Sequence, residues 1–238
     1  MSSSIFRFKR FKIDQSGSAM KVNTDGVLLG AIAGNKIMDH VLEIGTGTGL
    51  VSLMLAQRFE GANIQAVEID EDAARQAKKN FTQSPFAARL DSIHTDFKNY
   101  EPKVGYDLIV SNPPYFINSL KNSNARKAIA RHSSATFYDD LLQYAIKWLN
   151  PLGKLALIMP ITIRENLAEK LSGYNNLNIQ EELFIRSFPT TKPIRVLVHI
   201  IKGTPSAPVM TTDFTIYQNR NEPSEAYQEL LKDFFLAF

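Results

Sequence analysis

Residues 40–50, His40-Val41-Leu42-Glu43-Ile44-Gly45-Thr46-Gly47-Thr48-Gly49-Leu50, decide the fold. The apolar run over 40–44 predicts a buried strand, and an apolar helical pattern starts at Leu50. Between them stand Gly45, Gly47 and Gly49. Glycine lets a chain leaving a strand turn tightly and pass close to a ligand with no Cβ in the way. The helix that follows turns its N-terminal N–H groups toward the same place.

Outward from this unit, short apolar runs predict strands at 64–69, 90–95, 106–111, 154–159, 179–185 and 195–201. Helical patterns fall at 50–58, 71–81, 137–148 and 163–171. Buried, β-branched strands joined by crossover helices imply a mostly parallel sheet with helices on both faces. Residues 186–194 are too few for a helical crossover, so the seventh strand should pair antiparallel. Periodicity by itself gives the α/β class; seven strands with an antiparallel last one are similar to the Rossmann-like, doubly wound sheet of class I methyltransferases, and that specific strand order rests on the motifs below. A basic stretch with alternating aromatics (5–20) and an apolar helix (22–33) precede this core. A short extra strand (214–217) and a closing helix (222–235) follow it. One domain over 1–238 is expected, with extensions at about 1–38 and 204–238.

Composition narrows the chemistry. The 238 residues are 44% hydrophobic and 21% charged, ordinary for a chain that buries a core. The absence of cysteine excludes disulfides, thiolate metal sites and cysteine nucleophiles, cytosine-C5 methylation among them. His40, His94, His132 and His199 are scattered, so no metal is expected. Lys and Arg outnumber Asp and Glu by 27 to 24, which permits a polyanionic partner without demanding one. The start, MSSSIFRFKRFK, alternates apolar and basic residues, unlike a signal peptide, and no stretch has the apolar length of a membrane span. A soluble, cytoplasmic monomer is the expectation.

Acidic residues close the next two strands. Val67-Glu68-Ile69-Asp70 ends the second, where Glu68 suits a pair of ribose hydroxyls. Thr95-Asp96-Phe97 ends the third, where Asp96 suits an adenine amino group. Acids at the carboxyl ends of adjacent strands face one crevice. Helix capping or plain solvation is the competing explanation for both. A dinucleotide fingerprint would put its third glycine at residue 50, one position later than Gly49. That spacing makes NAD(P) the weaker ligand and S-adenosyl-L-methionine (AdoMet), which has no pyrophosphate, the better one.

The fourth strand ends in Ser111-Asn112-Pro113-Pro114-Tyr115, the most specific signal in the chain. Two prolines fix the loop and remove two backbone donors, which leaves carbonyl acceptors. Asn112 adds a side-chain acceptor, and Tyr115 a flat face for a planar group. An exocyclic amine or amide nitrogen is a poor nucleophile because its lone pair is delocalised. Acceptors from Asn112 and the Pro113 carbonyl would hold both N–H bonds and stabilise the charge that develops on methylation. A simple strand-ending Asn-Pro turn is the alternative. Past this loop, Lys121, Arg126, Lys127, Arg131 and His132 form an acid-free segment over 116–138, in which Arg126 and Arg131 are candidate phosphate contacts. An incidentally charged solvated loop is the plainer explanation. Phe6, Phe8, Arg10 and Lys12 likewise suit RNA, although an edge strand with outward charges explains the aromatics better.

GTGTG, VEID, TDF and NPPY in this order resemble the amino-group class I methyltransferases. Phe6-Arg7-Phe8-Lys9, Met20-Lys21-Val22-Asn23-Thr24-Asp25-Gly26, Leu28-Leu29-Gly30-Ala31 and Ala130-Arg131-His132 more specifically resemble the bacterial tRNA(Val) adenine-N6 methyltransferase family. Asn23 stands where that pattern has a glycine, and asparagine tolerates the left-handed turn. The resemblance spans nearly the whole chain. It implies methylation of adenosine 37 in the anticodon loop of a valine tRNA, with S-adenosyl-L-homocysteine as product. It also implies that Lys21, Thr24 and Asp25 line the methionine end of AdoMet, and that Asn112, Pro113, Pro114 and Tyr115 hold the adenine. The full candidate cofactor set is Lys21, Thr24, Asp25, Glu43, Gly45, Gly47, Gly49, Glu68, Ile69, Asp96, Phe97 and Asn112. Protein glutamine-N5 methylation is the closest rival, but such enzymes carry a sizeable helical domain where this chain has about forty basic, extended residues. A catalytically silent RNA-binding protein of this fold is the second alternative.

Overall fold

The computed structural model describes residues 4–16, 21–34, 37–113, 124–204 and 207–238, with 124–135 described by backbone alone. The described chain opens with β1 (Ile5–Arg7), β2 (Lys12–Asp14) and α1 (Thr24–Ile32). The glycine-loop half follows as β3 (His40–Ile44), α2 (Leu50–Arg58), β4 (Asn63–Glu68), α3 (Glu71–Thr82) and β5 (Leu90–His94). Next come β6 (Tyr106–Ser111), α4 (Asn124–Trp148), β7 (Leu149–Pro160), α5 (Ile161–Leu171), β8 (Leu177–Arg186) and β9 (Arg195–Lys202). The last elements are β10 (Met210–Thr215), β11 (Tyr217–Asn219), β12 (Glu222–Pro223) and α6 (Glu225–Leu231).

The central sheet has the order β10-β8-β9-β7-β6-β3-β4-β5. All its pairings are parallel except those of β9, which runs against both β7 and β8. The seven expected strands and the antiparallel seventh are present. An eighth strand, β10, extends the edge beside β8; it begins four residues before the expected 214–217, and Tyr217 falls in the separate β11–β12 pair. The closing helix is shorter than expected because Ser224 caps α6 by accepting from Tyr227 N, leaving Glu222–Pro223 as strand. α4 starts at Asn124, not at 137, because the Ala-, Arg- and Lys-rich run from Ala125 to Arg131 is a strong helix former whatever its charge.

From β3 the chain winds one way through β4 and β5, then returns to β6 on the other side. That reversal opens a crevice beyond the carboxyl ends of β3 and β6, the usual ligand position in such sheets. The registers Ile44↔Ser111, Ile44↔Val67 and Glu68↔His94 bring all four strand ends level. One sheet face is packed by α1, α2 and the hairpin, with Leu28, Leu29, Leu53, Met54 and Phe59 at the centre. The other is packed by α4 and α5, through Tyr138, Leu141, Leu142, Leu167 and Leu171.

β1 and β2 form their own hairpin rather than an edge of the central sheet. Phe8 and Phe11 are buried and stack at 4.5 Å, and Phe235 lies 5.6 Å from Phe8. Those two rings are core, which removes them from any base-stacking role. Asn80 of α3 fixes the hairpin to the glycine loop: its Nδ2 donates to Thr48 O (2.8 Å) and Asp14 O (3.0 Å), and its Oδ1 accepts from Asp14 N (3.0 Å). Asn80→Ala removes all three bonds at a buried position and should cost about 2–4 kcal/mol in urea-induced unfolding. A loss below about 0.5 kcal/mol would show that the hairpin is not anchored there.

Candidate active site

Three left-handed glycines shape the loop after β3: Gly45 at φ 77°, Gly47 at 56° and Gly49 at 83°. A Cβ on Gly45 or Gly47 would meet nothing within 4 Å, so these two need glycine for backbone angle and leave open space above the loop. At Gly49 a Cβ would lie 2.5 Å from Phe81 Cε1, so close packing of α3 adds a second requirement. Gly45 N donates to Val67 O at 2.9 Å and Gly49 N to Thr46 O at 2.9 Å, which ties the loop to β4 and to itself.

Glu43 supports the loop from behind. The residue is 3% exposed, and Oε2 accepts from Thr46 Oγ1 (2.7 Å), Ser52 N (3.0 Å) and Ser52 Oγ (2.5 Å). Burial pushes its pKa up to about 7, against the lowering effect of the Ser52 and Thr46 bonds and with a further rise from Glu68. All three of these Glu43 bonds go to Thr46 and Ser52, so the side chain bears on the loop and on the start of α2.

Glu68 faces the loop from the end of β4. Oε2 accepts from Gly47 N at 2.9 Å and Oε1 from Asp70 N at 3.1 Å, and each oxygen keeps a further lone pair. Asp70 caps α3 by accepting from Ala73 N at 2.8 Å. β4 ends at Glu68, one residue before the expected end, and Ile69 projects beside it with 69% of its surface exposed. Asp96 accepts from Lys98 N at 3.0 Å and lies 3.5 Å from Lys98 Nζ, so it caps the turn after β5 while standing at a strand end. Phe97 is buried edge-on against Phe137 (5.7 Å) and Tyr144 (5.6 Å).

At the start of α1 the cap is Asn23, whose Oδ1 accepts from Gly26 N at 2.8 Å. Its φ of −138° is extended, so no left-handed turn arises at this departure from the family pattern. Asp25, in the first turn, accepts from Arg195 Nε at 2.9 Å. Thr24 is half-buried and Lys21 exposed. Because β9 is antiparallel, its first residue lies at the carboxyl edge, opposite Pro160 of β7. Arg195 was not legible as a site residue; the only signal was a lone cation opening an apolar strand.

Ser111 Oγ donates to Ile44 O at 2.9 Å and joins the ends of β3 and β6. Asn112, half-buried, and Pro113, buried, follow directly. Pro114 and Tyr115 lie outside the described residues. Arg126 and Arg131 fall in α4 where backbone alone is described. The described residues thus gather the glycine loop, Glu68, Ile69, Asp96 and Asn112 at four adjacent strand ends. Among them no group of three or more His, Cys, Asp or Glu could hold a metal ion, and no helix is long and apolar enough to cross a membrane.

Comparison with known proteins agrees with this geometry. Residues 18–182 match the family model described as methyltransferase small domain. The chain is 46% identical over 233 residues to the tRNA1(Val) (adenine(37)-N6)-methyltransferase of Pedobacter heparinus, covering 98% of both chains. Proteins of the same name from Parabacteroides distasonis and Trichodesmium erythraeum are 40% and 38% identical, over 99% and 100% of both chains. Among solved structures, a predicted O-methyltransferase from Agrobacterium tumefaciens superposes with a TM-score of 0.69 at 18% identity, over 88% of this chain and 96% of that one. The N-methyltransferase NodS from Bradyrhizobium japonicum gives 0.53 at 17% identity, over 76% and 94%. The fold is that of the class I methyltransferases, which implies use of AdoMet.

The raised pKa of Glu43 sets a pH dependence. Its ordinary value is 4.5 and its folded value about 7, so the folded chain binds the extra proton between them. The stability this confers is full below about pH 4.5, declines as pH rises, and is gone above about 7. Glu43→Gln keeps the shape without the titration. Relative to wild type, it should gain about 2–3 kcal/mol between pH 5 and pH 8 in denaturant melts. A constant difference across that range would rule out the buried titration.

Proposed function

Since this chain belongs to the methyltransferase small domain family, and within it to the tRNA1(Val) (adenine(37)-N6)-methyltransferases, we propose that it methylates N6 of adenosine 37 in a valine tRNA. The observation that carries this is the placement of Asn112 and Pro113 at the end of β6, beside the glycine loop, where Ser111 joins that end to β3. The family assignment disfavours a protein glutamine substrate.

The residues present fit AdoMet. The space above Gly45 and Gly47 admits a ligand against bare backbone, and Glu68 is held there with lone pairs to spare. Glu68 would accept from the ribose hydroxyls and Asp96 from the adenine amino group, with Ile69 and Phe97 flanking the base. Lys21, Thr24 and Asp25 would take the methionine end, with Asp25 steadied by Arg195. When bound, AdoMet supplies an electrophilic methyl group on a sulfonium and leaves as S-adenosyl-L-homocysteine. Asn112 and the Pro113 carbonyl accept the two N–H bonds of the target amine and direct its lone pair into the crevice. They also stabilise the positive charge that the nitrogen gains before it gives up a proton. By the family pattern Pro114 and Tyr115 complete the motif, with Tyr115 to stack on the target adenine. Arg126 and Arg131, in the helix after that loop, are proposed contacts to anticodon-loop phosphates in a cytoplasmic enzyme. Its two extensions support a single-domain reading, since Lys9 N donates to Phe234 O and Gln57 Nε2 to Asp233 O.

The direct test is methyl transfer to tRNA from cells lacking the gene, followed by nucleoside mass spectrometry. N6-methyladenosine at position 37 of a valine tRNA is expected; methylation elsewhere, or none, would overturn the assignment. Glu68→Ala should weaken AdoMet binding by about 2–3 kcal/mol in calorimetry, and Arg195→Ala by about 1–2 kcal/mol through a misplaced Asp25. Asn112→Ala should lower kcat by about 100-fold or more with AdoMet affinity nearly unchanged, since its side chain serves the target amine. Near-normal turnover in that variant would remove Asn112 from the chemistry.

A further inference from the structure

The hairpin β1–β2 places Arg7, Lys9, Arg10 and Lys12, all exposed, within six residues. Its inner side carries Phe6, Phe8, Phe11 and Ile13 into the core. Arg7 and Lys12 are direct cross-strand partners, and like charges in that position oppose strand pairing. Nothing in the described structure neutralises them. Asp14, the acid on the same hairpin, is taken by Lys79 at 2.9 Å and by Ser16. No ion pair among the described residues reaches any of the four cations. Lys9 Nζ donates to the carbonyls of Lys232 (2.5 Å) and Phe238 (2.7 Å), and Arg10 lies 5.4 Å from the ring of Phe86. Those contacts orient Lys9 and Arg10, and Arg7, Arg10 and Lys12 enter no ion pair among the described residues.

We propose that this outer face docks the sugar–phosphate backbone of the substrate tRNA away from the target nucleotide, a proposal that rests on the tRNA reading above. The foot of the hairpin is fixed to the glycine loop through Asn80. From Asp14 the strand β2 carries the chain to Lys12 over about 7 Å at about 3.3 Å per residue, and the Lys9–Arg10 turn lies beyond it. Each strand of a DNA duplex carries a phosphate for about every 3.4 Å of helix axis, and an RNA stem is at least as dense in charge. A stem whose loop nucleotide enters the crevice therefore carries phosphates over that distance. Bound phosphates offset the repulsion between Arg7 and Lys12, so the hairpin holds a charge arrangement that is unfavourable alone and favourable with RNA.

The opposition between stability and binding makes the proposal testable. In Arg7→Gln/Arg10→Gln/Lys12→Gln, with Lys9 kept for its carbonyl bonds, the slope of log affinity for tRNA against log salt should fall by about two units. The KM for tRNA should rise about tenfold with kcat and AdoMet affinity unchanged. Lys12→Glu should bind tRNA more weakly yet melt about 1–3 °C higher, because it turns a repulsive cross-strand pair into an attractive one. An unchanged salt slope in a well-folded triple variant would overturn the proposal. So would a lower melting temperature for Lys12→Glu with unaltered tRNA binding, which would make the cations structural. Vesicles containing anionic phospholipid form a third arm: binding by wild type that the triple variant loses, with tRNA binding intact, would assign the face to a lipid surface instead. If wild type methylates no tRNA the functional reading falls, while the salt-slope comparison still decides the hairpin.

Discussion

The buried carboxyl of Glu43 is the constraint on which the rest of the site depends. Three donors, two side-chain hydroxyls and one backbone N–H, converge on a single oxygen of this residue, which is buried behind the loop. They join the end of β3, the middle of the glycine loop and the first turn of α2. With that knot in place, Gly45, Gly47 and Gly49 are held in left-handed conformations that a free loop would sample among many others. The open face over Gly45 and Gly47 is thus a product of what is packed underneath. Glu68 then closes the other side by accepting from Gly47 N, so two carboxyl groups clamp five residues of backbone between them.

What the sequence made legible follows from range. β3 and β6 run over the residues expected because each is a short, mostly apolar stretch buried on both faces, a signal contained in the strand itself. The glycine loop, Glu68 and Asn112 were legible for the same reason: each follows a strand end in sequence. Asn80, Arg195 and the packing of Phe81 on Gly49 were not, because their partners lie far away along the chain. β10 has four exposed residues in six, so its sequence lacks any apolar run; it becomes a strand only by pairing with β8. The early start of α4 shows the reverse error. Reading 116–138 by charge hid the helix propensity of its alanines, which acts over one or two turns and needs no partner.

The aromatics of the hairpin show how one pattern serves two ends. Alternation along FRFKRF sends Phe6 and Phe8 inward and the cations outward, and the two-residue turn at Lys9–Arg10 returns Phe11 to the inner side. A stacking surface for bases was one meaning of that pattern. Burial of Phe8 and Phe11 assigns the rings to stability and leaves only the cations facing solvent.

Charge is distributed in the same divided way, which a net value of +3 conceals. Acids gather at the carboxyl end of the sheet: Glu68 at β4, Asp96 after β5 and Asp25 on α1, where Arg195 pairs with it. Such a rim suits a cationic sulfonium ligand and repels a phosphate chain. A nucleic acid can therefore present a neutral base to the crevice, but its backbone must run outside it. The proposed contacts to that backbone are accordingly cations away from the acids, among them those the hairpin carries on a foot fixed to the glycine loop by Asn80. The same anchor that completes the fold thus fixes how far the positive face stands from the acidic crevice.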